Sequence, residues 1–310
     1  MIAAKQIFCL NEQGRRRNNE DRIYPGKGRA TNRDKLFIVC DGVGGESKGE
    51  VASEIVSTSI YQFMSNQDAP LTNGKETIEK AIVYANRKLA EHAAKDASAQ
   101  RMSTTLALIL LKPKSVIAAW CGDTRLHHIR NGRILWKSDD HSIVHELVKN
   151  GEINEQEART HPSKNIITRS LNALNTNNKV DFHEITDCQT DDFLLLCTDG
   201  FLEQIDSQAI FEVLGNEEES DKAKSFFARC EGKTKDNFSM YLVRVADADA
   251  PRASVLSSFN WLLASLVLII CVACISLMFF WLRKNEAAGR KESNQQEQVK
   301  KAPRGAAVVR

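Results

Sequence analysis

Two stretches of this chain share one design, a short apolar run that ends in Asp-Gly. Phe37-Ile38-Val39-Cys40 leads into Asp41-Gly42-Val43-Gly44-Gly45, and Phe193-Leu194-Leu195-Leu196-Cys197-Thr198 leads into Asp199-Gly200. Such runs read as buried strands. The glycines permit a sharp turn and a close approach of backbone to whatever lies above it. Each aspartate is therefore delivered to the lip of a sheet. Further acids fall at other predicted strand ends: Glu20 and Asp21 after Arg16-Arg17-Asn18-Asn19, Asp123 after the run ending at Cys121, and Asp236 before the strand that runs to Val245. Carboxylates gathered in one place repel one another and raise their pKa values. A bound divalent cation removes that penalty, and Mg²⁺ and Mn²⁺ favour carboxylate, carbonyl and water oxygens. A polynuclear metal site is the economical reading.

At 310 residues the chain has room for one large domain or two small ones. Its 42% apolar and 26% charged residues are those of a globular protein, and the net charge of +2 gives no sign of nucleic-acid binding. The eight cysteines do not form a disulfide pattern. Cys40, Cys121 and Cys197 sit in apolar runs as small hydrophobes, and Cys271-x-x-Cys274 lies inside a wholly apolar segment. A reducing compartment fits. The N-terminus lacks the basic and apolar regions of a signal peptide. From Phe259 to Leu282 there is no charged residue, and Trp261 and Trp281 stand near the ends. That length suits a membrane-spanning helix, expected over 258–282.

Residues 1–246 read as one strand-rich domain. Helices are expected after Gly49, over Lys75–His92 and over Ile143–Asn150, with a short one from Ile153. Met102–Leu111 reads as one strand, and Asn131-Gly132 marks a hairpin. The polar stretch 139–180 reads either as a mobile cap beside the site or as a plain surface excursion, and its His141 and His161 more readily as surface or hydrogen-bonded histidines than as catalytic ones. Residues 247–257 form a linker, and 283–310 a basic tail expected to be disordered. The triplet Arg15-Arg16-Arg17 could be a solvated charge run or could hold an anionic substrate against the metals.

Taken in order, eight motifs resemble the bacterial metal-dependent protein serine/threonine phosphatases of the type 2C (PPM) family. They are Arg16-Arg17-Asn18-Asn19-Glu20-Asp21, Asp41-Gly42-Val43-Gly44-Gly45, Ser103-Thr104-Thr105-Leu106, Gly122-Asp123-Thr124-Arg125, Asp140-His141-Ser142, Asn165-Ile166-Ile167-Thr168-Arg169-Ser170-Leu171, Thr198-Asp199-Gly200 and Asp236-Asn237. The resemblance implies an α+β fold, a four-layer α-β-β-α sandwich of two antiparallel sheets flanked by helices. It implies two Mn²⁺ or Mg²⁺ ions bridged by Asp41, with the Gly42 carbonyl on one and Asp199 and Asp236 on the other. Glu20 and Asp21 would act through waters, Asp123 with Asp199 would hold a third, weaker ion, and Arg16 would grip the substrate phosphate.

Two positions depart from the pattern. Val43 stands where some members have a histidine proposed as general acid, and Ser103 where glycine is usual. No implied metal ligand is lost, so the reading is an active, membrane-tethered phosphatase acting on phosphorylated proteins, substrates of a serine/threonine kinase. A silent phosphoprotein-binding module and an enzyme for small phosphate esters are the alternatives. The catalytic domain is expected on the cytoplasmic side of the inner membrane. The basic tail would then lie across the membrane, against the positive-inside tendency.

Overall fold

Leu36–Cys40, Leu106–Leu111, Val116–Cys121 and Phe193–Cys197 are apolar almost throughout, so the sheets they join must be covered on both faces. The computed structural model describes residues 1–43, 48–66, 73–174, 179–216, 220–247, 269–270, 272, 275–278 and 281, and all four segments are buried strands in it. The chain divides into two units, Met1–Ala250 and Pro251–Arg310.

In the first unit, β1 (Ile2–Glu12), β2 (Arg22–Tyr24), β3 (Leu36–Cys40) and β4 (Gly42–Val43) precede helices α1 (Gly49–Ser65) and α2 (Gly74–Ala93). Then come β5 (Ser103–Thr104), β6 (Leu106–Leu111), β7 (Val116–Cys121), β8 (Arg125–Arg130) and β9 (Arg133–Lys137). Short helices α3 (Ile143–Lys149) and α4 (Glu155–Thr160) lead to β10 (Leu171–Asn172), β11 (Asp181–Ile185) and β12 (Phe193–Cys197). Helices α5 (Asp199–Leu202), α6 (Ser207–Gly215) and α7 (Lys222–Cys230) precede the last strand, β13 (Phe238–Asp247). Every pairing is antiparallel. One five-stranded sheet runs β1-β13-β12-β8-β9 and the other β11-β7-β6-β3-β2.

Alternation along the strands sorts the side chains into three core layers. Phe37, Val39, Ala107, Ile109 and Ala118 meet Leu194, Leu196, Tyr241 and Val243 between the two sheets. Ile38, Cys40, Leu108 and Leu110 point the other way, onto Val56, Ile60, Ile78 and Leu89 of α1 and α2. Leu195, Cys197, Met240 and Leu242 pack on Ile210, Val213 and Phe226 of α6 and α7. The layers are helix, sheet, sheet, helix, an α+β arrangement.

The structure corrects one expectation. Met102–Leu111 is not a single strand but breaks at Thr105. Its first half, β5, joins β4 and β10 in a third sheet ordered β10-β5-β4. Asn131 and Gly132 adopt positive φ values, 51° and 74°, as a tight hairpin requires. The six described cysteines are all free thiols.

Most of the uncharged segment 258–282 lies outside the described residues, as do the Cys-x-x-Cys pair, 248–257 and the tail 283–310. Among the described residues no helix is long and apolar enough to cross a membrane. Those described between 269 and 281 are helical, and Ile269, Ile270, Val272, Ile275, Leu277, Met278 and Trp281 are exposed.

The first unit also carries a pH liability. His127 on β8 is buried, with Nδ1 lacking a hydrogen-bond partner. Burial, then the charges of Arg125 and Lys137, push its pKa down to about 3. An unfolded imidazole titrates near ~6.5. Between those values the unfolded chain binds a proton that the folded chain refuses. The neutral His127 therefore costs nothing above that unfolded value, and stability falls as the pH drops below it. From about pH 7.5 to about 5.5 this one group should cost about 1.4 kcal/mol. Urea unfolding of His127→Gln at both pH values should show a drop smaller by that amount.

Candidate active site

Strand register brings the acidic positions of the sequence reading to one end of the sandwich. The Arg22↔Cys40 pair puts the start of β2, just after Glu20-Asp21, beside the end of β3, just before Asp41. Leu106↔Cys121 and Val39↔Ala107 bring the end of β7, and with it Asp123, to the same place. In the other sheet, Cys197↔Met240 sets the end of β12 beside the start of β13, so Asp199 and Asp236 become neighbours. A cavity of about 400 Å³ opens there. Its walls include Arg16, Arg17, Glu20, Asp41, Gly42, Asp123, Asp199, Asp236 and Asn237. Asp21 stands behind the wall, buried.

The electrostatics of this end are strained. Asp41 is raised well above the usual carboxylate range by burial, then by the charges of Asp21, Asp199 and Asp123. Burial and then Asp236 raise Asp199, offset in part by a hydrogen bond with Asp41. Burial, Asp199 and Asp140 push Asp123 up to about 7. Glu20 is raised by burial and by Glu50. Asp21 is pushed up to about 8 by burial, reinforced by Asp199 and opposed by the Ser239 and Thr198 hydroxyls. Only Thr198 makes a well-formed bond, Oγ1 donating to Oδ2 at 3.1 Å, and Asp21 Oδ1 has no partner. Five wall carboxylates face two guanidiniums among the described residues. An all-oxygen donor set short of positive charge suits hard divalent cations.

Backbone contacts with no slack hold this arrangement. A Cβ on Gly42 would lie 2.4 Å from the Gly49 carbonyl carbon, and one on Gly200 would lie 1.9 Å from the Asn237 carbonyl oxygen. The Asn237 side chain ties the β1–β2 loop at three points to the start of β13. Its Oδ1 accepts from the Glu20 N–H at 2.9 Å, and its Nδ2 donates to the carbonyls of Gln13 (2.7 Å) and Asn18 (2.8 Å). Thr105 explains the strand break: its N–H donates to the Asp41 carbonyl at 2.8 Å, and its Oγ1 accepts from the Asp41 N–H at 2.9 Å. Thr104 Oγ1 donates to the same carbonyl at 2.8 Å.

Arg16 presents its fork to Asp236, Nε to Oδ1 at 2.7 Å and Nη2 to Oδ2 at 2.5 Å. Ser103 and Val43 are cross-strand partners, and Ser103 Oγ donates to the Val43 carbonyl at 3.2 Å. His141 clamps the turn before Asp123: its N–H donates to the Gly122 carbonyl at 2.9 Å, and its Nδ1 accepts from the Gly122 N–H at 3.1 Å. Its Nε2 pairs with Asp181 at 3.1 Å. His161 Nδ1 accepts from the Ser163 N–H at 3.1 Å. Neither histidine lines the cavity, but Asn165 and Ile167 of the segment between 142 and 170 do. Sequence reasoning assigned no part to Asn237, nor to the Arg125–Asp140 fork (2.7 and 2.5 Å) beside Asp123. Both lie in quoted motifs, which were the available signal.

A second grouping stands at the far end of the sandwich, where ligand atoms of His128, Cys188 and Asp192 lie within 4.8 Å of one another. There Asp192 already accepts from His128, Arg130 and the Gln189 N–H. This is a satisfied ion-pair network that, despite burial, holds Asp192 below the usual carboxylate range, whereas burial and mutual repulsion raise Asp41, Asp123 and Asp199 of the cavity.

A profile of the protein phosphatase 2C family matches residues 13–237. The serine/threonine phosphatase stp of Listeria innocua is 33% identical over 240 residues, covering 75% of this chain and 92% of that protein. The crystal structure of serine/threonine phosphatase Stp1 from Staphylococcus aureus matches with a TM-score of 0.69 at 28% identity, over 77% of this chain and 94% of that one. The catalytic domain of the phosphatase PstP, solved with two manganese ions, shares the fold at 24% identity and a TM-score of 0.65, over 80% of this chain and all of that one.

The close approach at Gly200 is directly testable. Gly200→Ala should lower stability in urea unfolding by about 3 kcal/mol, as overpacking against backbone does. Gly215→Ala, whose added methyl meets nothing within 4 Å, should not lower it.

Proposed function

The chain belongs to the protein phosphatase 2C family of metal-dependent protein serine/threonine phosphatases, and we propose that it hydrolyses phosphoserine and phosphothreonine on proteins while tethered to a membrane. The observation that carries the site assignment is the gathering of Glu20, Asp41, Asp123, Asp199 and Asp236 on one cavity wall with too little positive charge to balance them. In this reading Asp41, the Gly42 carbonyl, Asp199 and Asp236 would hold two Mn²⁺ or Mg²⁺ ions. Glu20 and Asp21 would support them through waters, and Asp123 with Asp199 would hold a weaker third ion. Bound there, the cations supply a water deprotonated near neutral pH as the nucleophile and offset charge on the phosphoryl oxygens.

The chain's own residues do the positioning. Thr104 and Thr105 grip the Asp41 backbone, so its carboxylate keeps a fixed aim. Arg16 has one edge of its guanidinium on Asp236, and the Nη1 side is left to meet a phosphoryl oxygen. Val43 has no proton to give, and the Ser103 hydroxyl is engaged by the Val43 carbonyl. With neither side chain free to donate, a water held at the site would have to supply the proton to the leaving alcohol.

The uncharged segment 259–282 and the exposed apolar side chains between Ile269 and Trp281 support a membrane anchor. The free thiols and the phosphoprotein substrates support a cytoplasmic catalytic unit.

The full chain with Mn²⁺ should hydrolyse a phosphothreonine peptide. EDTA should abolish turnover, and Asp199→Asn should lower kcat/KM by about a hundredfold or more. No turnover by folded protein with either metal would return the chain to the phosphoprotein-binding reading. In fractionated cells the chain should sediment with membranes, and external protease should remove the tail while sparing residues 1–246. A protected tail would refute the orientation.

A further inference from the structure

The fold divides the basic triplet into three fates. Arg15 donates to the Gly232 carbonyl, away from the cavity. Arg16 is forked onto Asp236 of the cavity wall. Arg17 is exposed, lines the same cavity, and makes no hydrogen bond or ion pair among the described residues. Of the two guanidiniums on the wall, it is the one whose charge is not committed.

The surroundings bear on what that charge can read. Asn165 and Ile167, from the segment between α4 and β10, line the cavity and are neutral. An acidic group approaching them meets neutral lining residues, with the exposed Lys164 next to Asn165 but not on the cavity wall, and one approaching the floor meets carboxylates. Among the described residues that line the cavity, only Arg17 offers an unpaired guanidinium fork. Residues next to a phosphorylated one lie about 3.8 Å away per Cα step. An arginine beside the one that faces the phosphoryl group can therefore span to a flanking side chain.

We propose that Arg17 reads an acidic side chain flanking the phosphorylated residue, so that the enzyme favours acidic phosphosites. This rests on the phosphatase reading above and names the substrate class for it. The contact is an exposed ion pair: its effect is modest, falls on KM rather than kcat, and is screened by salt.

The test uses the full chain with Mn²⁺ and two phosphothreonine peptides that differ only in flanking Glu or Lys. The readout is the ratio of their kcat/KM values within each variant, which a partly misfolded sample does not alter. The wild type should favour the Glu peptide about fivefold at low salt, and the preference should shrink towards unity as salt is raised. Arg17→Lys should keep the sign, and Arg17→Glu should reverse it. A ratio unchanged in Arg17→Glu would overturn the inference. So would an equal fall in kcat for both peptides, which would put Arg17 on the phosphoryl group itself. If the wild type hydrolyses neither peptide, the phosphatase reading falls and takes this inference with it.

Discussion

Carboxylates gathered at one end of a sandwich set a condition that the rest of the structure has to meet. Left free, such groups move apart or take up protons. Here burial and mutual repulsion raise Asp41, Asp123 and Asp199 together. The fold prevents their separation with contacts that have no give: Gly42 against Gly49, Gly200 against Asn237, and the Asn237 side chain at three points of the β1–β2 loop. The three core layers supply the stability against which this local cost is set. The acidic end is the part of the molecule that gains most from an added cation.

The two departures from the family pattern are a single local feature. Val43 and Ser103 face each other across the β4–β5 pair, and the serine hydroxyl caps the valine carbonyl. A side chain where glycine is usual thus finds a partner on the neighbouring strand, and the third sheet absorbs it without disturbing the hold of Thr104 and Thr105 on Asp41.

Much of this was legible in the residues because the signals were local. Continuous apolar runs gave the central strands, period 3.6 gave α1 and α2, and Asn131-Gly132 gave the hairpin. The Asp-Gly endings pointed to the acidic rim. What stayed hidden depended on partners far along the chain. Thr104 and Thr105 are β-branched and read as strand, and nothing nearby announces that Thr105 is claimed by Asp41, 64 residues earlier. Asn237 reads as a turn residue, yet its partners Gln13, Asn18 and Glu20 lie 224, 219 and 217 residues away. The resemblance assigned Arg16 to the substrate, and its neighbour Asp236 is as remote, 220 residues on. His141 was read as a hydrogen-bonded histidine, and that it grips the turn before Asp123 could not be read from its motif.

The pairing of the first strand with the last gives the molecule an order of assembly. β1 and β13 run side by side from Ile2↔Asp247 to Glu12↔Phe238, and Asp236 and Asn237 arrive only with that closing strand. A chain still being synthesised can build the α1–α2 face against β3 and β6, but it has neither the remaining carboxylate nor the asparagine that ties the β1–β2 loop. Contacts this distant in sequence carry a large loop-closure cost. A chain that ends before Asp236 lacks both that carboxylate and Asn237, so the wall of the cavity is complete only when β13 is in place.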